Sequence, residues 1–128
     1  MLHPMAPGKP KILSVATATP PQYFSQSRLA ELAGYGDAQR SGFFANSDIE
    51  GRYLWLDPVN VRTDESAEEL NDRFQRGALE LGRAAARSCL ERVGWSPAEL
   101  DFVATTTCTG RLCPSLDAHL IRDLGCRS

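Results

Sequence analysis

The chain has 128 residues, of which 42% are hydrophobic, and its 14 basic and 16 acidic residues leave a net charge of −2. This length suits one domain, and the mixed charges form neither a basic patch for nucleic acid nor a polybasic membrane anchor. No apolar run approaches the ~20 residues of a bilayer-spanning helix, and the N-terminus lacks the apolar segment of a signal peptide. We therefore expect a cytoplasmic protein that binds small molecules or other proteins.

The first ten residues contain three prolines and a glycine without any periodicity. They predict a disordered leader, residues 1–10, ahead of a domain that covers residues 11–128. Residues 12–19 read ILSVATAT, an uncharged run rich in small and β-branched residues. This run predicts a buried strand, which the following pair of prolines ends.

Two short helices and a strand are predicted next. Ser25 or Ser27 can cap a helix that Gly34 ends. Residues 38–46 predict a second helix, with adjacent phenylalanines at positions 43 and 44 as its apolar anchors. Residues 49–56 alternate between apolar and polar side chains, which predicts a strand. We expect the first of these helices to serve packing only.

A long amphipathic helix is the clearest element of the sequence. Ser66 and Glu69 have the spacing of a capping box, and Gly94 can adopt the left-handed conformation that closes a helix, so the element spans about 27 residues. Apolar residues recur at helical spacing and predict one buried face. That face comprises Leu70, Phe74, Ala78, Leu81, Ala85, Cys89 and Val93. The opposite, solvated face comprises Arg73, Arg76, Glu80, Arg83, Arg87 and Glu91.

A second strand and a loop follow this helix. A turn at residues 96–99 (SPAE) redirects the chain into residues 101–107 (DFVATTT), which predict a buried strand paired with residues 12–19. Strand, helix and strand in this order indicate a parallel α/β arrangement, and ligands bind beyond the carboxyl ends of such strands. The loop of residues 108–115 is therefore the predicted functional site. Pro114 can open the next helix, which Gly125 ends.

The four cysteines give no metal or disulfide pattern. Their spacing matches neither paired CxxC ligands nor a small secreted framework, so we expect reduced thiols. A zinc or redox module built on Cys108 and Cys113 is disfavoured, because four intervening residues and one nearby histidine make a poor tetrahedral site. His119 is expected to be a solvated or interface residue, and Cys89 a packing residue of the long helix.

Several segments in order resemble one enzyme family. SVATATPP, then IEGRYLWL, then ERVGWSPAELDFVATTTCTGRLCPSLDAHLIRDLG are similar to the N-terminal part of type III polyketide synthases, the chalcone and stilbene synthase-like enzymes. The resemblance runs from residue 11 to the last residue. It implies an α/β fold, namely the incomplete N-terminal portion of a thiolase-like αβαβα fold with a mixed, mainly parallel sheet. Ketoacyl synthases of the third kind, which start fatty acid synthesis, share VATTT and a Pro-Ser helix start, and they remain the alternative.

The resemblance also implies an activity. Enzymes of this family are homodimers that act as acyltransferases, condensing a starter acyl-CoA with malonyl-CoA by decarboxylative Claisen chemistry without a permanently bound cofactor. Their catalytic cysteine, histidine and asparagine would lie beyond Ser128. We therefore expect a chain that contains no catalytic residue and is inactive alone. A non-catalytic dimerisation or remnant module of the same fold is the competing interpretation.

The resemblance assigns pocket residues in the predicted loop. Cys108 and Thr109 match positions that line the acyl and polyketide pocket, and Cys113 matches a position that reaches into the partner subunit's cavity. Alternatively, both thiols are unreactive small hydrophobes. A nucleophilic role is disfavoured, because no histidine adjoins either cysteine in sequence. The plant-type enzymes carry several cations for coenzyme A phosphates in the stretch matching residues 39–48, but here Arg40 is the only one.

Overall fold

The computed structural model describes residues 9–57, 59, 61–62 and 64–127, so most of the predicted leader lies outside the described residues. Two short strands and four α-helices make up the regular structure of these described residues. They are β1 (Tyr23–Ser25), α1 (Gln26–Leu32), α2 (Ala38–Ala45), β2 (Gly51–Tyr53), α3 (Ala67–Val93) and α4 (Leu116–Leu124). A single 3-10 turn, Pro97–Glu99, lies where the turn was predicted.

The two strands pair in antiparallel register. Phe24 lies opposite Arg52 and is buried, with 4% of its surface exposed, while Ser25 lies opposite Gly51. β2 falls within the strand predicted over residues 49–56. β1 was not predicted, because a three-residue strand is too short to show a periodicity of two.

The first helix has one of its two predicted N-caps, and the second helix has one of its two predicted anchors. Ser25, rather than Ser27, caps α1, because its Oγ accepts the amide N–H of Arg28 at 3.2 Å. In α2, only Phe44 is an anchor: its ring lies 5.7 Å from that of Tyr35. Phe43 is 71% exposed, which contradicts its predicted role. Adjacent helical residues point about 100° apart, so both rings cannot face one neighbour.

The long helix confirms its predicted boundaries. The Glu69 amide donates to Ser66 Oγ at 3.2 Å, and the Ser66 amide donates to Glu69 Oε2 at 2.7 Å. Gly94 closes the helix with a φ of 68°. The C-terminal half of α3 packs on α4, where Leu120 is 6% exposed and lies against Gly82.

The predicted faces of α3 are wrong at two positions of its first half. Leu70 is 45% exposed, while Arg73, assigned to the wet face, has a side chain only 28% exposed. The carboxylate of Glu65 explains this inward position, since it pairs with the Arg73 guanidinium at 2.7 Å. A half-buried cation is stabilised by such a partner, and sequence periodicity does not show the partner.

The two long predicted strands, residues 12–19 and 101–107, are not strands among the described residues. Ile12 is 86% exposed and Phe102 is 83% exposed, so neither segment is buried and the predicted parallel pairing is missing there. The sheet that is described is antiparallel. Composition favours strands in these segments, but a strand also needs a neighbour with which to share hydrogen bonds.

The last helix differs from its prediction at one end. α4 begins at Leu116 with Ser115 as its N-cap, so Pro114 precedes the cap instead of opening the helix. Its other end is as predicted, because Gly125 adopts a φ of 75°.

Candidate functional site

A groove of about 900 Å³ runs along the first half of α3. One side is the face of α3 that was predicted to be buried, and the others are Trp55 and the loop of residues 108–111. The lining residues are Trp55, Ala67, Leu70, Asn71, Arg73, Phe74, Gly77, Ala78, Leu81, Cys108, Thr109, Gly110 and Arg111. Most of these side chains are apolar, which suits an uncharged organic ligand.

Trp55 forms a wall that α3 holds from two sides. Its indole lies so close to Gly77 that a Cβ there would be 2.9 Å from Trp55 Cγ. Arg73 Nη1 donates to the Trp55 carbonyl at 3.3 Å, and Glu65 in turn holds Arg73. Sequence analysis did not identify Trp55 or Arg73 as site residues. The absence of a side chain at position 77, in the middle of a helix, was the one available signal for the close approach.

The loop wall is fixed by its own hydrogen bonds and by α3. The Thr107 hydroxyl donates to the Thr109 carbonyl at 2.7 Å, and its oxygen accepts the Thr109 amide at 3.1 Å. Gly110 has a φ of 62° and lies directly against the Phe74 ring. Asn71 Oδ1 accepts the amide of Arg111 at 2.9 Å. The loop is therefore bound to the helix at two successive residues.

The structure brings two of the three predicted pocket residues together. Cys108 and Thr109 both line the groove, with Cys108 Sγ 3.9 Å from Thr109 Oγ1. Cys113 is an exposed, free cysteine and is not among the lining residues. Its predicted role, which requires a second subunit, stays a prediction, as does the role of the other two as acyl-pocket walls.

A network of charges lies at the start of α3, beside the groove. Arg62 bridges Asp64 at 3.0 Å and Glu69 at 2.7 Å. The Ser66 amide and then Arg62 lower the pKa of Glu69, while Arg62 lowers the pKa of Asp64. These carboxylates therefore stay charged at neutral pH, and they stabilise the N-terminus of α3.

The remaining polar candidates are already engaged. Arg40 pairs with Asp37 at 3.4 Å and lies over the ring of Tyr35, 5.5 Å from its centre. His119 Nδ1 lies 3.4 Å from Arg122 Nη2 on the surface of α4. Across the described residues, no group of three or more histidine, cysteine or acidic side chains could hold a metal ion. No helix in that part of the chain has the length and apolar character needed to cross a membrane.

The known proteins that are similar to this chain are synthases. The 3,5-dihydroxyphenylacetyl-CoA synthase of Streptomyces toyocaensis is 38% identical over 122 residues, which is 93% of this chain and 31% of that protein. The phloroglucinol synthase of Pseudomonas fluorescens is 37% identical over 82 residues, or 62% of this chain and 23% of that protein. A crystal structure of the fungal type III polyketide synthase ORAS matches 91% of this chain and 34% of its own length, with a TM-score of 0.79 and 19% identity. No family model matches the chain.

The fold is therefore that of the corresponding part of this fungal enzyme, which is the thiolase-like fold that the sequence resemblance implied. The chain is homologous to these two synthases and shares its fold with a type III polyketide synthase, as the sequence resemblance predicted. It spans 31% of the length of the first synthase and 23% of the second.

Proposed function

We propose that the protein carrying this chain is an acyltransferase of the type III polyketide synthase class, which condenses a starter acyl-CoA with malonyl-CoA. The supporting observation is the 38% identity that extends over 93% of the chain to a 3,5-dihydroxyphenylacetyl-CoA synthase. Because the chain spans only 31% of that relative, the reaction belongs to the whole protein.

In the proposed reaction, the starter acyl group moves from coenzyme A to a cysteine thiolate elsewhere in the protein. Malonyl-CoA then loses carbon dioxide, and the resulting enolate attacks the thioester carbonyl, forming a carbon–carbon bond as the carbon–sulfur bond to the cysteine breaks. In this reaction, the present chain forms part of the wall of the acyl-binding pocket. Cys108 and Thr109 border the growing acyl chain, and Cys113 reaches the cavity of the partner in a homodimer.

The product proposed for this chain is a small aromatic ring with hydroxyls on alternate carbons. Two of its relatives are named for such rings, a 3,5-dihydroxyphenyl group and phloroglucinol. Malonyl-derived units place a keto oxygen on every second carbon of the chain, so ring closure leaves hydroxyls with this spacing. The mainly apolar groove of about 900 Å³ is compatible with such an intermediate.

Coenzyme A binding in this proposal does not use the plant-type cluster of cations. Arg40, the cation nearest to the matching positions, is held by Asp37 and Tyr35, which supports phosphate contacts made by other residues. We place the protein in the cytoplasm, which is consistent with four free thiols at positions 89, 108, 113 and 126.

The test measures coenzyme A release and product mass with malonyl-CoA and a panel of starter acyl-CoA thioesters. We expect the whole protein to release coenzyme A and form a hydroxylated aromatic product, and Cys108→Ser to retain turnover. The 128-residue chain alone should give no release. A linear β-ketoacyl product would favour a ketoacyl synthase, and a folded dimer without turnover would favour a non-catalytic module. Turnover by the chain alone that Cys108→Ser abolishes would make Cys108 the nucleophile.

A further inference from the structure

The loop of residues 108–111 decides how much room the groove offers opposite α3. Its internal bonds between Thr107 and Thr109 fix its shape but not its position relative to the helix. That position depends on contacts with α3, and the side-chain hydrogen bond from α3 to this loop is made by Asn71. Asn71 and Arg111 are 40 residues apart in sequence, so the bond joins two separate walls of one groove.

The Asn71 bond acts next to an apolar contact. Asn71 lies one turn before Phe74 on α3, and both residues line the groove. The Phe74 ring contacts Gly110, and the side-chain oxygen of Asn71 accepts a hydrogen bond from the amide of the next residue, Arg111. An apolar contact alone allows sliding, whereas a hydrogen bond of 2.9 Å fixes both distance and direction.

We propose that Asn71 is a positioning residue that holds the loop as a groove wall and thereby sets the length and shape of the acyl chain that the groove admits. It acts through the loop, because its Oδ1 accepts the Arg111 amide. The effect on the acyl chain rests on the function proposed above. The anchoring of the loop by Asn71 is independent of that function.

Three variants separate the hydrogen bond from the volume of the side chain. Asn71→Asp keeps an oxygen that accepts the Arg111 amide. Asn71→Leu has a similar size and no acceptor, and Asn71→Ala serves the same comparison if the leucine variant does not fold. Gln75→Leu is the matched control, since Gln75 lies on the same helix but does not line the groove.

The first measurement is hydrogen exchange at the Arg111 amide in the whole protein, resolved by mass spectrometry with electron-transfer fragmentation. We expect exchange about tenfold faster in Asn71→Leu, because the amide loses its partner. Asn71→Asp and Gln75→Leu should exchange like the wild type. Unchanged exchange in both Asn71→Leu and Asn71→Ala would overturn the anchoring role.

The second measurement is the distribution of products by chain length from malonyl-CoA. We expect Asn71→Leu to change the ratio of short to full-length products about fivefold or more. Asn71→Asp should give the same product ratio as the wild type. Faster amide exchange with an unchanged ratio would overturn the specificity role. A wild-type protein that forms no product at all would instead refute the proposed function, and the exchange measurement would still decide the anchoring.

Discussion

At the scale of single residues, Gly110 combines two constraints that sequence alone does not separate. Its φ of 62° disfavours any side chain, and the Phe74 ring occupies the space where a Cβ would lie. Gly94 offers a matched comparison, because its φ is 68° and nothing lies within 4 Å of the corresponding Cβ position. Comparing the two positions therefore isolates the contact between the loop and the helix.

Gly94→Ala should lower the free energy of unfolding by about 1 kcal/mol, which is the cost of a left-handed alanine. Gly110→Ala should cost about 2–4 kcal/mol, because the methyl group also displaces Phe74. Denaturant unfolding of the whole protein carrying each single variant measures the difference. Adding Phe74→Ala to Gly110→Ala should recover about 1 kcal/mol or more relative to additivity. Equal losses at the two glycines would mean that the loop does not rest on Phe74.

Glu69 provides a pH-dependent contribution at the start of α3. The Ser66 amide and Arg62 depress the pKa of Glu69 in the folded state, so the folded state binds its proton less readily than the unfolded state. Its stabilising contribution is therefore complete above the ordinary pKa of 4.5 and is lost as the pH falls through the depressed value. Glu69→Gln keeps an acceptor for the Ser66 amide but has no charge to titrate.

Acid unfolding of wild type and Glu69→Gln, followed by circular dichroism from about pH 6 to about pH 2, tests this assignment. The stability difference between the two proteins should shrink as the pH falls. A difference that stays constant across that range would exclude Glu69 as a contributor to acid sensitivity.

At the scale of elements, α3 serves two different neighbours along its length. Its first half borders the groove and Trp55, and its second half packs against α4, where Leu120 covers Gly82. The contact between these two helices is the most extensive packing of helix on helix in the described part of the chain. The stability of this part should therefore depend on α4 more than on the groove.

Leu120→Ala should lower the free energy of unfolding by about 2–4 kcal/mol, because it removes a buried side chain and leaves a cavity against Gly82. Ala118→Ser, on the exposed side of the same helix, should change it by less than about 0.5 kcal/mol. Urea unfolding of the whole protein compares the two variants. Similar effects in both would show that α4 is not docked on α3.

The elements that sequence predicted best are those with local signals. The capping box of Ser66 and Glu69 and the left-handed glycines 94 and 125 set the ends of α3 and α4 within one or two residues. What failed depended on distant partners. The burial of Arg73 requires Glu65, and strands at residues 12–19 and 101–107 require neighbours that composition cannot specify.

The sequence predicted where the candidate site lies, but it identified only some of the residues that line the site. Chain order placed a ligand site in the loop from residue 108, and that loop does border the groove. Asn71 and Trp55 could not have been found in the same way. Their contribution depends on which side chains of α3 and the segment before it meet the loop, and this follows only from the tertiary packing.

At the scale of the whole molecule, the chain shows an unusual amount of apolar surface. Ile12, Leu13, Val15 and Phe102 are each more than half exposed, and they lie in the two segments that composition assigned to buried strands. The fold match covers 91% of this chain but 34% of the fungal enzyme. We therefore expect the other two thirds of such a fold to cover these side chains.

The 128-residue chain expressed alone should consequently self-associate or melt without a sharp transition, because exposed apolar segments bind one another. Sedimentation and thermal melting test this, with co-expression of the remaining two thirds of a relative's fold expected to give a soluble complex. Ile12→Glu together with Phe102→Glu should reduce self-association, because charge opposes burial. Val59→Glu is the control, since Val59 is 93% exposed but lies in neither segment, and it should have little effect. A monomer with a reversible two-state melt would show that the chain is stable without burial of these segments by the rest of the fold.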